Sequence, residues 1–140
     1  MTKEHLADSL RHYSQRTRLL GTLDEEIAGL RELYEKISAG SAPEGDAAGE
    51  LERIRLDLLQ KTRTRLRLKA WLNRIDANLA ILTRRERAVL TARAIRLMLW
   101  TEVGEYMLEE YGESFTRQGL RGIYNRAIDK MLCGQEEKAA

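Results

Sequence analysis

Apolar side chains recur every three or four residues through most of the chain, which is the spacing of one face of an α-helix. In the first segment, roughly residues 3–38, they follow the alternating steps of a coiled-coil seam. The seam residues are Leu6, Leu10, Tyr13, Thr17, Leu20, Leu23, Ile27, Leu30, Tyr34 and Ile37. One shortened step, beside Gly21, predicts a local kink or overwinding in this helix.

A second apolar pattern begins near Glu50, after the small-residue stretch GSAPEGDAAG at 40–49. This stretch has no apolar anchor and predicts a flexible linker over 39–50. The second helix repeats the seam spacing, with Lys61 and Arg65 at central seam positions. Because the linker lets this helix fold back, we predict an antiparallel helical hairpin over 1–82. The same seams could instead pair between two chains.

Three shorter helices are predicted after the hairpin. Thr83 and Glu86 have the spacing of a capping box, which predicts the start of a third helix carrying Val89, Leu90, Ala94, Ile95 and Leu97. A fourth is predicted from Trp100 to about Tyr111, with Gly112 as its C-cap. Ser114 or Thr116 can cap the fifth.

The predicted fold class is therefore all-α: a long antiparallel, coiled-coil-like hairpin followed by a three-helix helix-turn-helix module over 83–133. A disordered tail is expected at 134–140.

Charge is unevenly distributed, although the net charge is only +2. The first 50 residues carry six basic and ten acidic side chains, and the next 50 carry thirteen basic and four acidic ones. An acidic and a basic helix would pair well in the hairpin. The basic side of the second helix could alternatively be a nucleic-acid surface.

Catalytic and metal-binding patterns are absent from the sequence. His5 and His12 have no ligand-spaced carboxylate or thiol, and the lone Cys133 has no evident base. One cysteine cannot form an intrachain disulfide, which favours a cytoplasmic setting, and no stretch is apolar enough for a membrane span. We therefore expect no enzyme activity, no cofactor, no metal site and no membrane association.

The last predicted helix has two distinct sides. Leu120, Ile123, Ala127 and Met131 share one side, and a polar set faces the opposite way. That set is Gln118, Arg121, Gly122 and Asn125, with Arg117 at its edge. Gln and Asn can pair with adenine and Arg with guanine or phosphate, so these residues predict a recognition helix, about 116–131, in a DNA major groove.

Two segments carry a resemblance to a known family. The stretch LTRRERAVLTAR (82–93) resembles the opening of sigma-factor region 4, and FTRQGLRGIYNRAIDKM (115–131) resembles its recognition helix. Trp100-Thr101-Glu102-Val103 is similar to the first helix of the family's helix-turn-helix. A long helical N-terminus before such a module resembles small phage and prophage regulators, including the ArpU-like late transcription regulators.

The resemblance implies binding to double-stranded promoter DNA, with RNA polymerase as a second candidate partner. Carried over by position, Arg117, Gln118, Arg121 and Gly122 fall where the family contacts DNA, and Arg126 falls on its basic flank. We expect a phage-type, sequence-specific transcriptional regulator that forms a homodimer through its N-terminal helices. Two alternatives remain: a DNA-packaging or recombination accessory factor, and a structural protein whose last helices pack on a partner protein.

Overall fold

The computed structural model describes the backbone of residues 2–41 and 47–139 and the side chains of residues 2–40 and 47–134. These residues form an all-helical protein without a strand. The α-helices are α1 (Lys3–Arg11), α2 (Tyr13–Lys36), α3 (Ala47–Ala80), α4 (Arg84–Leu90), α5 (Trp100–Tyr111) and α6 (Arg117–Ala139).

The first predicted helix is interrupted, but not beside Gly21, where the irregularity was predicted. The break falls at His12, whose amide donates to the Ser9 carbonyl at 3.2 Å and so tightens the last turn of α1. By contrast, α2 continues through Gly21, where the sequence predicted a kink. The helix is followed by an irregular turn in which Gly40 has a positive φ of 83°.

The linker ends earlier in the chain than residue 50, its predicted end. Helix α3 begins at Ala47, so residues 47–50 are helical. Residues 42–46, the middle of that linker, lie outside the described residues. The rest of α3 agrees with the predicted second helix.

The described chain divides into two compact units, and Arg16–Leu72 is one of them. Within it, α2 and α3 meet through ion pairs made by the two basic seam residues. The Lys61 ammonium lies 3.2 Å from Glu26, and Arg65 pairs with Asp24. The later residue of α3 thus pairs with the earlier residue of α2, which is the order expected for antiparallel helices.

The other unit comprises Met1–Gln15 and Asn73–Ala140, so the domain boundary expected after residue 82 falls inside it. The reason is α1, which packs against α6. Leu6 and Leu10 of α1 are fully buried, and Lys3 forms an ion pair with Asp129 of α6 at 3.2 Å. Helix α6 continues to Ala139, past the point where the tail was expected to begin.

The three predicted C-terminal helices are present, with one difference in the third. The capping box at Thr83 is formed as predicted, and Gly112 ends α5 with a φ of 65°. The third helix ends before Leu97, which has a φ of 57° and is exposed instead of belonging to the helix. Arg93 stabilises this turn, because its guanidinium donates to the Met98 carbonyl at 2.9 Å.

Candidate nucleic-acid interface on the last helix

The start of α6 is set by Thr116, one of the two predicted caps. Its hydroxyl oxygen accepts a hydrogen bond from the Gly119 amide at 3.0 Å. This bond satisfies one of the amides that have no partner within the first turn of a helix. A Cβ on Gly119 would lie 3.2 Å from the same hydroxyl oxygen, so the glycine leaves room for the cap.

The buried side of α6 fixes how the helix is turned. Leu120 and Ile123 join a core cluster with Val103 and Met107 of α5 and with Val89 of α4. The apolar side continues along α6 with further buried residues, namely Ala127, Ile128 and Met131. Burial of this side determines which residues of α6 face solvent.

The predicted DNA-facing residues lie on the exposed part of the helix. Exposed side chains are Arg117, Gln118, Arg121, Asn125 and Arg126. Gly122 is half-buried, but a Cβ built on it would meet no atom within 4 Å. The first four exposed residues and Gly122 span less than half the circumference of the helix, at about 100° per residue.

Arg126 lies apart from this set. It lines a cleft near the start of α4, together with Arg84 and Arg85. Arg85 is already paired, since its guanidinium lies 2.7 Å from Glu113. The structure therefore places Arg126 on the flank that faces α4, while Arg117 lines a different cleft beside Trp100 and Leu108.

An aromatic pair supports the other edge of the exposed side. The Trp100 ring contacts Tyr124 of α6 edge-on, with 5.6 Å between centroids. The guanidinium of Arg93 lies 4.8 Å from the centre of the Trp100 ring, and that of Arg121 lies 5.9 Å from it. Arg121 is thus at the outer limit of a cation–π contact, which orients it without burying its charge.

Burial raises the pKa of the Tyr124 phenol, although the positive charges of Arg93 and Arg11 oppose that shift. The phenol therefore stays neutral near neutral pH. The contributions of Arg93 and Trp100 could not be predicted from helical spacing, because these residues and Arg121 lie in separate segments of the chain.

The outer side of α5 has the opposite charge. Glu102, Glu105 and Glu109 are all exposed there. Among the described residues, none of these three carboxylates forms an ion pair with a basic side chain. The Glu102 carboxylate accepts from the Leu99 amide at 3.0 Å and caps the helix start. The electrostatic field beside α6 is consequently positive along its own exposed side and negative along α5.

Among the described residues, no group of three or more His, Cys, Asp or Glu side chains could hold a metal ion. Within the same part of the chain, every helix is too short or too polar to cross a membrane. Comparisons with protein-family models, with curated proteins and with solved structures found no match for this chain.

Proposed function

We propose that this protein is a sequence-specific, double-stranded-DNA-binding transcriptional regulator of phage or prophage type that acts in the cytoplasm. Helices α4, α5 and α6 form its helix-turn-helix module, and the first half of α6 is the recognition helix. The observation that carries the proposal is the exposed polar side of α6, whose orientation is fixed by the buried Leu120 and Ile123.

The side chains on this surface have the chemistry that base edges require. Arg117 and Arg121 can donate two hydrogen bonds to guanine or bind phosphate, and Gln118 and Asn125 can pair with adenine. Gly122 adds no side chain between them, so the helix backbone can approach the duplex closely. Arg126, on the flank, is suited to a phosphate contact that positions the helix.

Charge favours one direction of approach. DNA phosphates are attracted to the arginines of α6 and repelled by the exposed acids of α5. The duplex would therefore lie along α6 and contact α5 little. Since few phosphates are contacted, one module would bind weakly, and its arginine–phosphate contacts would weaken further as salt is added.

Self-association through the N-terminal helices compensates for weak binding by a single module. Two linked modules bind two half-sites with a high effective concentration for the second event. The homodimer through α2 and α3, arranged as an antiparallel hairpin, is part of the proposal. A contact with RNA polymerase belongs to it through the resemblance to sigma-factor region 4.

The decisive experiment selects bound duplexes from a random DNA pool and compares the wild type with the double variant Arg117→Ala/Arg121→Ala. We expect the wild type to enrich a defined sequence. The variant should lose binding free energy of about 1–3 kcal/mol for each guanine or phosphate contact that its arginines made. Arg31→Ala on α2 is the matched control, since Arg31 is exposed and lies in the other unit. Circular dichroism verifies that each variant remains folded.

A second variant pair separates α6 from the basic helix α3. Lys69→Ala/Arg74→Ala removes two exposed basic side chains of α3 and should leave the selected sequence unchanged. If only this variant loses binding, the nucleic-acid surface lies on α3. If no duplex is enriched by the wild type, the proposal is wrong and the protein-interaction alternative is favoured.

A transcription assay separates the regulator from a packaging or recombination accessory factor. The selected site is placed beside a promoter, and transcript levels are measured with wild-type protein and with the double variant of α6. A regulator changes the transcript level only when its arginines are present. Binding without any change in transcription favours the accessory factor.

A further inference from the structure

The side of α3 that points away from the buried Ile54 carries an exposed apolar stripe. Leu56, Leu59 and Leu66 are 52%, 45% and 59% exposed. At 100° per residue they lie along one strip of the helix, with exposed Arg63 among them. An apolar strip rimmed by charged residues is typical of a surface that binds another protein.

The corresponding side of α2, opposite the buried Leu23 and Ile27, has a different character. Gly21 and Gly29 are both exposed there, and a Cβ on either would meet no atom within 4 Å. Glycine disfavours a helix interior, and nothing in the described chain requires it at these two positions. Exposed Glu25 lies between them. The close approach of a second helix would account for both glycines.

The leucine stripe of α3 and the glycine-bearing side of α2 match each other in an antiparallel alignment. The facing pairs are Arg63 with Glu25, Leu66 with Gly21, Leu59 with Gly29, and Glu52 with Lys36. Leu59 and Leu66 then meet glycines, Leu56 faces Glu32, and each of the two charged pairs joins opposite charges. The same alignment already holds within one chain, where Lys61 pairs with Glu26 and Arg65 with Asp24.

Pairing of α3 with another α3 is disfavoured by charge. The exposed residues flanking the leucines include Arg53, Arg55 and Arg67. Two such surfaces would place basic side chains against basic side chains, and like charges facing each other suppress association. The occupant of the α3 stripe must therefore be acidic and must offer space for leucine side chains.

We propose that the leucine stripe of α3 binds the glycine- and glutamate-bearing side of α2 in a second copy of the chain. This inference rests on the self-association included in the proposed function and names its surface. The contact joins two different sides of the chain, so a dimer makes it once and leaves one such side free on each copy. It does not require DNA binding. It also gives the basic side of α3 a role in recognising protein.

Sedimentation velocity over a concentration series, without DNA, tests the proposal. We expect the wild type to self-associate, and Arg63→Glu and Glu25→Lys each to weaken self-association by about tenfold or more. An equimolar mixture of the two variants should associate again, because each altered stripe then meets a partner of opposite charge. Both sites are exposed, so the variants should fold as the wild type does.

Lys69→Glu is the matched control, since it makes the same charge change at an exposed position of α3 outside the stripe. It should associate like the wild type. Leu59→Lys tests the apolar part and should weaken association without rescue by Glu25→Lys.

A wild type that stays monomeric at every concentration would overturn the inference, as would a mixture that does not recover. Either result leaves DNA binding by α6 to be decided by its own experiment. Conversely, association that follows the charge swap would stand even if no DNA sequence were selected.

Discussion

The ammonium group of Lys130 on α6 donates a hydrogen bond of 2.7 Å to the Glu86 carboxylate in the first turn of α4. The same carboxylate oxygen accepts from the Thr83 amide at 2.9 Å, and the Glu86 side chain is only 7% exposed. One buried carboxylate thus caps α4 and also connects it to the helix that carries the candidate interface.

Replacing Lys130 by Met should destabilise the protein. The substitution leaves the buried Glu86 carboxylate without its cation, and losing a hydrogen bond to a charged group costs about 1–3 kcal/mol. The free energy of unfolding in urea measures the loss. Lys3→Met is the control: its ion pair with Asp129 is largely exposed on both sides, so about 0.5 kcal/mol or less is expected. Equal losses in the two variants would show that burial of Glu86 has no energetic consequence.

Glu86 should also contribute a pH dependence to stability. Burial by itself would raise the pKa of Glu86, but hydrogen bonds from Lys130 and Thr83 outweigh it and hold that pKa below 4.5. A carboxyl whose pKa is lowered by folding stabilises the native state above its unfolded pKa. That stabilisation is lost as the pH falls through the lower, folded pKa. The stability advantage of the wild type over Glu86→Gln should therefore be constant above about pH 5 and decrease below it. A constant difference down to pH 3, measured by urea unfolding, would contradict the assignment.

The cap at the start of α6 predicts a coupling between Thr116 and Gly119. Thr116→Ala should cost about 1 kcal/mol through loss of the cap. Gly119→Ala gains helix propensity but brings a Cβ to 3.2 Å from the Thr116 hydroxyl oxygen. Its stabilisation should therefore be smaller in the wild type than in the Thr116→Ala background, where it approaches about 1 kcal/mol. A double-mutant cycle by thermal unfolding measures this coupling, and strict additivity would exclude the crowding.

Local signals explain which parts of the fold could be predicted. The capping box at Thr83, the C-cap at Gly112 and the bounds of α5 depend on residues within one or two turns, and all three predictions are confirmed. The position of α1 was not predicted. Leu6 and Leu10 fit a coiled-coil seam equally well, and only long-range packing shows that they face α6.

The same limit applies to the candidate interface. Helical spacing predicted which side of α6 is buried, because the apolar positions of one helix determine it. It could not predict that Arg93 and Arg121 share the Trp100 ring, or that Leu97 leaves the helix with a positive φ. These features depend on how separate segments meet.

Gly122→Ala distinguishes a structural role of this glycine from a role in DNA binding. A Cβ at this position meets no atom within 4 Å, so alanine should stabilise the free protein by about 0.5–1 kcal/mol through its higher helix propensity. If α6 lies against DNA as proposed, the added methyl group separates the backbone from the duplex. Affinity for the selected site should then fall by about tenfold, or about 1.4 kcal/mol.

Gly104→Ala in α5 is the matched control for this experiment. Its Cβ would make an ordinary contact of 3.6 Å with Leu120, so it should stabilise the helix similarly while leaving DNA affinity unchanged. Thermal unfolding and fluorescence anisotropy with a labelled duplex give the two readouts. A Gly122→Ala variant that is more stable and binds DNA as tightly as the wild type would remove Gly122 from the interface. A Gly122→Ala variant that is more stable but binds DNA more weakly would instead show that Gly122 lowers the stability of the helix and allows DNA to approach it closely.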